Sequence, residues 1–225
     1  MYAFIFARKG SQRLKNKNRK LLNGKPLIQY SIDMAKQIKE IKKIFISTDD
    51  PYIKKIALNN DCIIINRPKF LATSLSPEWL SWRHAIRFVC KNYKIENFNF
   101  ISIPTTAPLR KKIDLKNCIT KFKKKKVDCL LTISELNHSP EYNMLYKKNK
   151  KILPYNKIKK KKLSNRKNIK CCYVITTVAY VLKSRFVLKK SNFFEGKIDY
   201  YIVPPERAID IDTNYDFRLA SLLQK

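Results

Sequence analysis

Short apolar runs alternate with longer segments carrying apolar residues at helical spacing, and this alternation restricts the fold more than any other feature. Residues 2–6, 44–46, 62–65, 98–103 and 129–133 read as strands. Between them, Ile28, Ile32, Ala35 and Ile38 share one helix face, and Ile53, Ile56 and Ala57 a second. Trp82, Ala85, Ile86 and Val89 share a third, and Leu115, Ile119 and Phe122 a fourth. Strands with no polar face, each followed by an amphipathic helix, predict an α/β fold with a doubly wound, mostly parallel sheet. Helix starts are marked as well. Asp50-Pro51 reads as an N-cap followed by proline in the first turn, and Pro26 and Ser76-Pro77-Glu78 open the neighbouring helices. After residue 170 the pattern predicts a long β-rich run over 171–182, a short helix over 184–190 and a strand over 198–203. A last helix over 214–224 turns Phe217, Ala220 and Leu223 inward.

Doubly wound sheets bind ligands beyond the carboxyl ends of their strands. The polar segments 8–18, 47–50, Arg67 and 105–110 each follow a predicted strand, so one edge of the sheet gathers them. The first segment, Ala7-Arg8-Lys9-Gly10-Ser11-Gln12-Arg13-Leu14-Lys15-Asn16-Lys17-Asn18, has neither the Walker nor the dinucleotide glycine spacing. It still offers backbone N–H groups and cations to anionic oxygens, although a solvated basic turn is the plain alternative. Arg8, Ser11, Lys17, Asn18, Arg67 and Arg110 together have the chemistry of a nucleoside triphosphate clamp.

Asp210 and Asp212 stand two apart between isoleucines. In extended chain, residues i and i+2 point the same way, so both carboxylates face one place with Ile209 and Ile211 packed behind. Close carboxylates repel unless a cation lies between them, and Mg²⁺ suits oxygen ligands shared with phosphate. The alternative is that Asp212 or Thr213 caps the last helix.

Length and composition set the remaining bounds. A chain of 225 residues fits one domain, and residues 137–170, with poor periodicity and a nearly all-Lys stretch at 157–162, read as an inserted arm and oligomer contact. The net charge of +32 comes from Lys spread along most of the chain, so it favours anionic ligands such as nucleotides without marking a nucleic-acid surface. The six cysteines form no C-x-x-C pair and read as reduced core residues of a cytoplasmic protein. There is no leader-like start and no apolar run near the ~20 residues needed to cross a bilayer, so no membrane is expected.

In order along nearly the whole chain, these motifs resemble those of the acylneuraminate cytidylyltransferase (CMP-sialic acid synthetase) family. Ala7-Arg8…Ser11…Lys17-Asn18 is similar to its A-R-x-x-S…K-N loop, and Gly24-Lys25-Pro26-Leu27-Ile28 to its G-K-P-L-I. Thr106-Ala107-Pro108-Leu109-Arg110 resembles the end of its L-Q-P-T-S-P-L-R, and Glu206-Arg207-Ala208-Ile209-Asp210-Ile211-Asp212-Thr213 its E-R-S-I-D-I-D-T. The resemblance implies a Rossmann-like nucleotidyltransferase. Such an enzyme joins CTP to the C2 hydroxyl of a nonulosonic acid, releases pyrophosphate, and is usually a homodimer through the arm. It places Arg8, Gly10, Ser11, Lys17, Asn18, Arg67 and Thr106 at the nucleotide, Asp210 and Asp212 at Mg²⁺, and Arg110, Arg166 and Lys170 at the sugar acid. Catalysis would centre on Arg8, Lys17, Asp210 and Asp212.

The chain departs from the family at Pro104, where the family has Gln, at Thr176-Thr177 in place of Asn-Gly, and at Val174 in place of a basic residue. These changes fall in the sugar half of the site. Two alternatives follow: a nucleotidyltransferase for another sugar such as Kdo, and a non-catalytic basic domain that holds nucleotide or RNA.

Overall fold

A computed structural model of the chain describes residues 1–140, 143–156 and 171–224. Its centre is a seven-stranded sheet ordered β11-β7-β10-β6-β1-β4-β5. The strands are β1 (Tyr2–Phe6), β4 (Lys43–Thr48), β5 (Ile63–Asn66), β6 (Asn99–Ser102), β7 (Cys129–Leu136), β10 (Cys172–Lys183) and β11 (Ile198–Ile202). Pairings β1/β4, β1/β6, β4/β5 and β11/β7 are parallel, whereas β10 runs antiparallel to both of its neighbours. The mostly parallel sheet is therefore present, with one reversed strand wedged into it.

The two faces of this sheet differ in chemistry. Ala3, Ile5, Ile46, Ile101 and Leu130 point to one face and pack against α1 (Leu27–Lys36), α2 (Pro51–Asn59) and α4 (Lys112–Lys125). Phe4, Phe45, Phe100 and Leu131 point to the other and meet α3 (Glu78–Tyr93) and α5 (Ser184–Lys189). Phe4 lies edge-on to Phe45 at 5.5 Å and tilted against Phe100 at 5.0 Å. A one-residue slip of β1 would exchange aliphatic for aromatic layers, so side-chain size fixes register here as firmly as hydrophobicity does.

The predicted helix stripes are buried: Ile28, Ile32, Ala35, Ile53, Ala57, Trp82, Ala85, Ile86, Val89, Leu115, Ile119 and Phe122. Asp50 caps α2 by accepting from the Tyr52 N–H, with Pro51 in the first turn. Pro26 stands one position earlier than expected. It ends a small hairpin of β2 (Leu21–Leu22) and β3 (Lys25–Pro26) and is the N-cap of α1. Asn23 and Gly24 turn that hairpin with φ of 46° and 78°, the conformation for which Asn-Gly is favoured.

In the last helix, α6 (Asn214–Leu223), Ala220 is buried and Phe217 partly so, but Leu223 is exposed, because the helix covers only a small satellite core. Thr213 caps it in a capping box with Asp216, so the capping role falls to Thr213 and leaves Asp212 free of it. Of the expected arm, a hairpin of β8 (Leu145–Lys148) and β9 (Lys151–Pro154) stands as a sheet of its own. None of the six cysteines is in a disulfide. Among the described residues no helix is long and apolar enough to cross a membrane.

Candidate active site

Because β1, β4, β5, β6 and β11 all point the same way, their following loops meet at one edge and enclose a cleft of about 360 Å³. Phe6, Arg8, Ser11, Gln12, Arg13, Leu14, Lys17 and Asn18 line it from the β1 loop; Arg67, Leu71, Thr73, Ser74 and Ser76 from the β5 loop; Glu78 and Ser81 from α3; Thr105 and Thr106 from the β6 loop; and Asp212 from the segment after β11.

The β1 loop is held from both ends. Leu14 is buried with Leu22, Leu27, Ile211 and Ala220, which pins the middle of the loop to the satellite core. Asn16 takes φ 55°, a left-handed geometry that asparagine tolerates, and the chain then enters a 3-10 turn over Lys17–Arg19. The Lys9 N–H donates to Asp49 Oδ1 at 2.8 Å, and Arg19 Nε to Asp50 Oδ2 at 2.8 Å, so the end of β4 steadies the loop. Asn18 is buried beneath the cleft. Its Nδ2 donates to the Arg8 carbonyl at 2.9 Å, and its Oδ1 accepts from the Thr105 hydroxyl at 2.6 Å. It joins the β1 and β6 loops. Gly10 has room for a side chain, since a Cβ would come no nearer than 3.8 Å to the Ala72 carbonyl.

Arg67 is 9% exposed, donates through Nε to Ser47 Oγ at 3.2 Å and lies 5.5 Å over the Phe6 ring. Its Nη2 is buried without a partner. Burial lowers its pKa to about 10, which leaves it charged at neutral pH. Arg67 lines the cleft, so its guanidinium is a recognition group for a ligand oxygen or ring nitrogen.

Arg110 departs from the expected role. It is 3% exposed and lies under the β6 loop instead of lining the cleft, donating to the Ser31 hydroxyl at 2.9 Å, the Thr177 carbonyl at 3.3 Å and the Pro104 carbonyl. Its backbone contacts fix the shape of the Thr105-Thr106 loop. Thr106 in turn donates to the Thr177 hydroxyl at 3.1 Å, and its carbonyl receives the Ile211 N–H at 2.8 Å. Thr176 and Thr177 sit in a break of register between β10 and β7. The Thr132 hydroxyl fills that break, accepting from the Thr176 hydroxyl at 2.8 Å and the Ala179 N–H at 3.2 Å. Arg166 and Lys170 lie outside the described residues.

Asp210, Ile211 and Asp212 alternate as expected of an extended segment: Ile211 is buried, Asp210 exposed and Asp212 half-buried. Lys17 Nζ donates to Asp212 Oδ1 at 2.9 Å and to the Ile211 carbonyl at 2.8 Å, while Arg13 Nη1 reaches Asp212 Oδ2 at 2.8 Å. Among the described residues no group of three or more His, Cys, Asp or Glu side chains forms a metal cage. Asp212 lines the cleft beside the cations Arg13 and Lys17, with Asp210 exposed two residues before it and outside the cleft lining. That fits a hard ion taking its other ligands from water and phosphate oxygens, the binding habit of Mg²⁺.

Arg13, Thr105 and Glu78 were not singled out by the sequence. Arg13 sits inside the basic loop but is one cation among many. Thr105 precedes the motif threonine, and Glu78 reads as an ordinary first-turn helix residue.

A family model described as cytidylyltransferase matches residues 2–207. Post-translational flagellin modification protein B of Campylobacter coli is 29% identical over 222 residues, which cover 98% of this chain and 93% of that protein. CMP-N,N'-diacetyllegionaminic acid synthase of Campylobacter jejuni is 27% identical over 220 residues, covering 97% and 92%. Among solved structures, CMP:2-keto-3-deoxy-manno-octonic acid synthetase complexed with CTP superposes with a TM-score of 0.71 at 14% identity, over 99% of this chain and 97% of the other. At that identity the likeness is one of fold.

Proposed function

This chain belongs to the cytidylyltransferase family, and from that we propose that it transfers CMP from CTP to the C2 hydroxyl of a nonulosonic acid and releases pyrophosphate. The observation that carries the reading is the juxtaposition of Arg8, Arg13, Lys17 and Arg67 with Asp212 around one cleft at the carboxyl edge of the sheet. A triphosphate needs such cations, and a departing pyrophosphate needs charge held against it. A nonulosonic acceptor is supported by the legionaminic acid synthase among the relatives.

Arg8 and Lys17, with the Ser11 side of the loop, bind the phosphates. Arg67 offers its guanidinium to the base, and Thr106 closes the cleft floor. Asp210 and Asp212 would hold Mg²⁺, which when bound would supply charge neutralisation at the phosphates. The acceptor hydroxyl attacks the α-phosphorus in line with the bond to the bridging oxygen. That bond breaks, and the hydroxyl proton passes to solvent. Holding the two reactants in this alignment is the main contribution of the protein. Arg166 and Lys170 are the partners proposed for the acceptor carboxylate. The enzyme works in the cytoplasm, which suits a chain whose cysteines form no disulfide, and as a homodimer joined through the arm, with small molecules instead of nucleic acid as its ligands.

The test is pyrophosphate release from CTP and Mg²⁺ across a panel of nonulosonic acids and Kdo. Turnover with a nonulosonic acid, lost in Asp210→Ala/Asp212→Ala, is expected. Turnover with Kdo alone, or no binding of CTP, refutes the reading.

A further inference from the structure

Asp212 is the point at which the proposed metal carboxylates and phosphate cations touch, and its two oxygens are held unequally. Lys17, on Oδ1, has a side chain 14% exposed and a second acceptor in the Ile211 carbonyl. Arg13, on Oδ2, has a side chain 72% exposed and, among the described residues, makes no second side-chain hydrogen bond. Lys17 is thus anchored, whereas Arg13 is held by one exposed ion pair, a kind of contact that exchanges easily.

We propose that Arg13 is an exchangeable phosphate clamp: it covers Asp212 in the nucleotide-free protein and moves to the triphosphate when nucleotide enters, uncovering Oδ2 for the divalent cation. The inference rests on the reading of the cleft as a CTP site. A divalent cation approaching Asp212 with both oxygens covered meets two positive charges. Moving Arg13 to a phosphate removes one of them and gives the guanidinium an acceptor it pairs with in bidentate geometry. Arg13 lines the same cleft as Arg8 and Ser11, so the transfer needs only side-chain rotation. Nucleotide and metal then bind with positive coupling, because each favours the same position of one side chain. The arrangement also leaves a net positive charge around Asp212 in the nucleotide-free cleft, which lowers the affinity for free metal.

The experiment measures two binding constants on the full chain, that of Mn²⁺ alone by electron paramagnetic resonance and that of CTP without metal by calorimetry. Arg13→Ala should bind Mn²⁺ about three- to tenfold more tightly, since one screened positive charge is removed from beside the carboxylate. It should bind CTP about tenfold more weakly, since charge-assisted hydrogen bonds are lost. Arg13→Lys, which keeps the charge but not the planar fork, should restore most of the Mn²⁺ value and only part of the CTP value, and Asp212→Asn should abolish the gain in Mn²⁺ affinity. Arg13 is exposed, so circular dichroism of the variants should match the parent. Unchanged CTP affinity, or unchanged Mn²⁺ affinity, in Arg13→Ala overturns the exchange while leaving the proposed reaction standing. Failure of the unmodified protein to bind CTP overturns both.

Discussion

The hydrogen-bonded clasp at Asn18 makes the sharpest prediction about how the cleft is built. Asn18 is 6% exposed and Thr105 3%, and the Asn18 amide bridges the Arg8 carbonyl and the Thr105 hydroxyl at 2.9 and 2.6 Å. Asn18→Ala deletes both bonds and leaves a carbonyl and a hydroxyl without partners where water has little access. Each such group costs about 1–3 kcal/mol, but the hydroxyl can rotate and the carbonyl keeps a second lone pair, so a total of about 2–4 kcal/mol is expected. For a chain of this size each kcal/mol lowers the melting temperature by about 2–4 °C, which gives a fall of roughly 4–16 °C. Thr105→Val keeps the shape of the side chain, removes the hydroxyl and strands only Asn18 Oδ1. It should cost about 1–2 kcal/mol. The two residues share a bond, so the double variant should be less damaged than the sum of the singles by about 1 kcal/mol or more. Urea melts of the four proteins measure this coupling. Additivity within about 0.3 kcal/mol refutes the clasp, because distant, independent sites behave that way.

Two further predictions concern the frame around the cleft. Gly196 has an ordinary backbone conformation, yet a Cβ there would lie 2.3 Å from Phe186 Cε2. Phe186 is 7% exposed and packed edge-on against Trp79 at 5.8 Å, so its ring has little room to yield. Gly196→Ala should therefore destabilise by about 1–3 kcal/mol in a thermal melt, and a neutral result would show that the aromatic cluster is looser than its contacts indicate. At the start of α6, desolvation pushes the Asp216 carboxyl up. Hydrogen bonds from Thr213 and the Asp212 N–H, with the charge of Lys17, outweigh it and leave the pKa below the ordinary value. A depressed folded pKa contributes stability that is present above the unfolded value and lost as pH falls through the folded one. Asp216→Asn should thus melt lower than the parent at pH 6, with the gap closing below about pH 4. A gap independent of pH would remove the charge from the explanation.

The fold was legible for a physical reason. Parallel strands covered on both faces must be apolar throughout, and the helices between them must be apolar on one side, so burial of the sheet writes both periods into the chain. Every helix-stripe residue predicted from Trp82 to Phe122 is buried. What periodicity misses is anything shorter than its own window. Leu21–Leu22 and Lys25–Pro26 are strands of two residues, visible only through the Asn-Gly turn between them. Leu223 carries the helical spacing but is exposed, because α6 packs on a small satellite core that reaches Ala220 and Phe217.

The candidate site was legible by position but not by direction. Order along the chain tells which loops share the edge: the cleft is lined from the β1, β5 and β6 loops and by Asp212, whereas the 47–50 segment after β4 does not line it and instead braces the β1 loop through Asp49 and Asp50. It does not tell which way a long side chain turns once there. Arg67 and Arg110 both follow strands and are both almost completely buried. The difference lies in their acceptors. Each keeps one buried nitrogen without a partner, but Arg110 donates to the Ser31 hydroxyl and the Pro104 and Thr177 carbonyls beneath its loop, whereas Arg67 donates only to the Ser47 hydroxyl and lines the cleft. Apart from Pro104, the acceptors come from α1, β4 and β10, elements remote in sequence from either arginine, so no local motif distinguishes the two. The same reasoning applies to Asn18 and Arg13. Asn18 belongs to the motif that suggests phosphate contact, but its amide is spent on two neighbouring loops. Arg13 lies outside the motif, yet it is the loop cation left exposed with one exchangeable partner. In a chain with 49 Lys and Arg residues, being basic carries little information, and what separates a binding cation from a surface one is the number of acceptors the fold has already assigned to it.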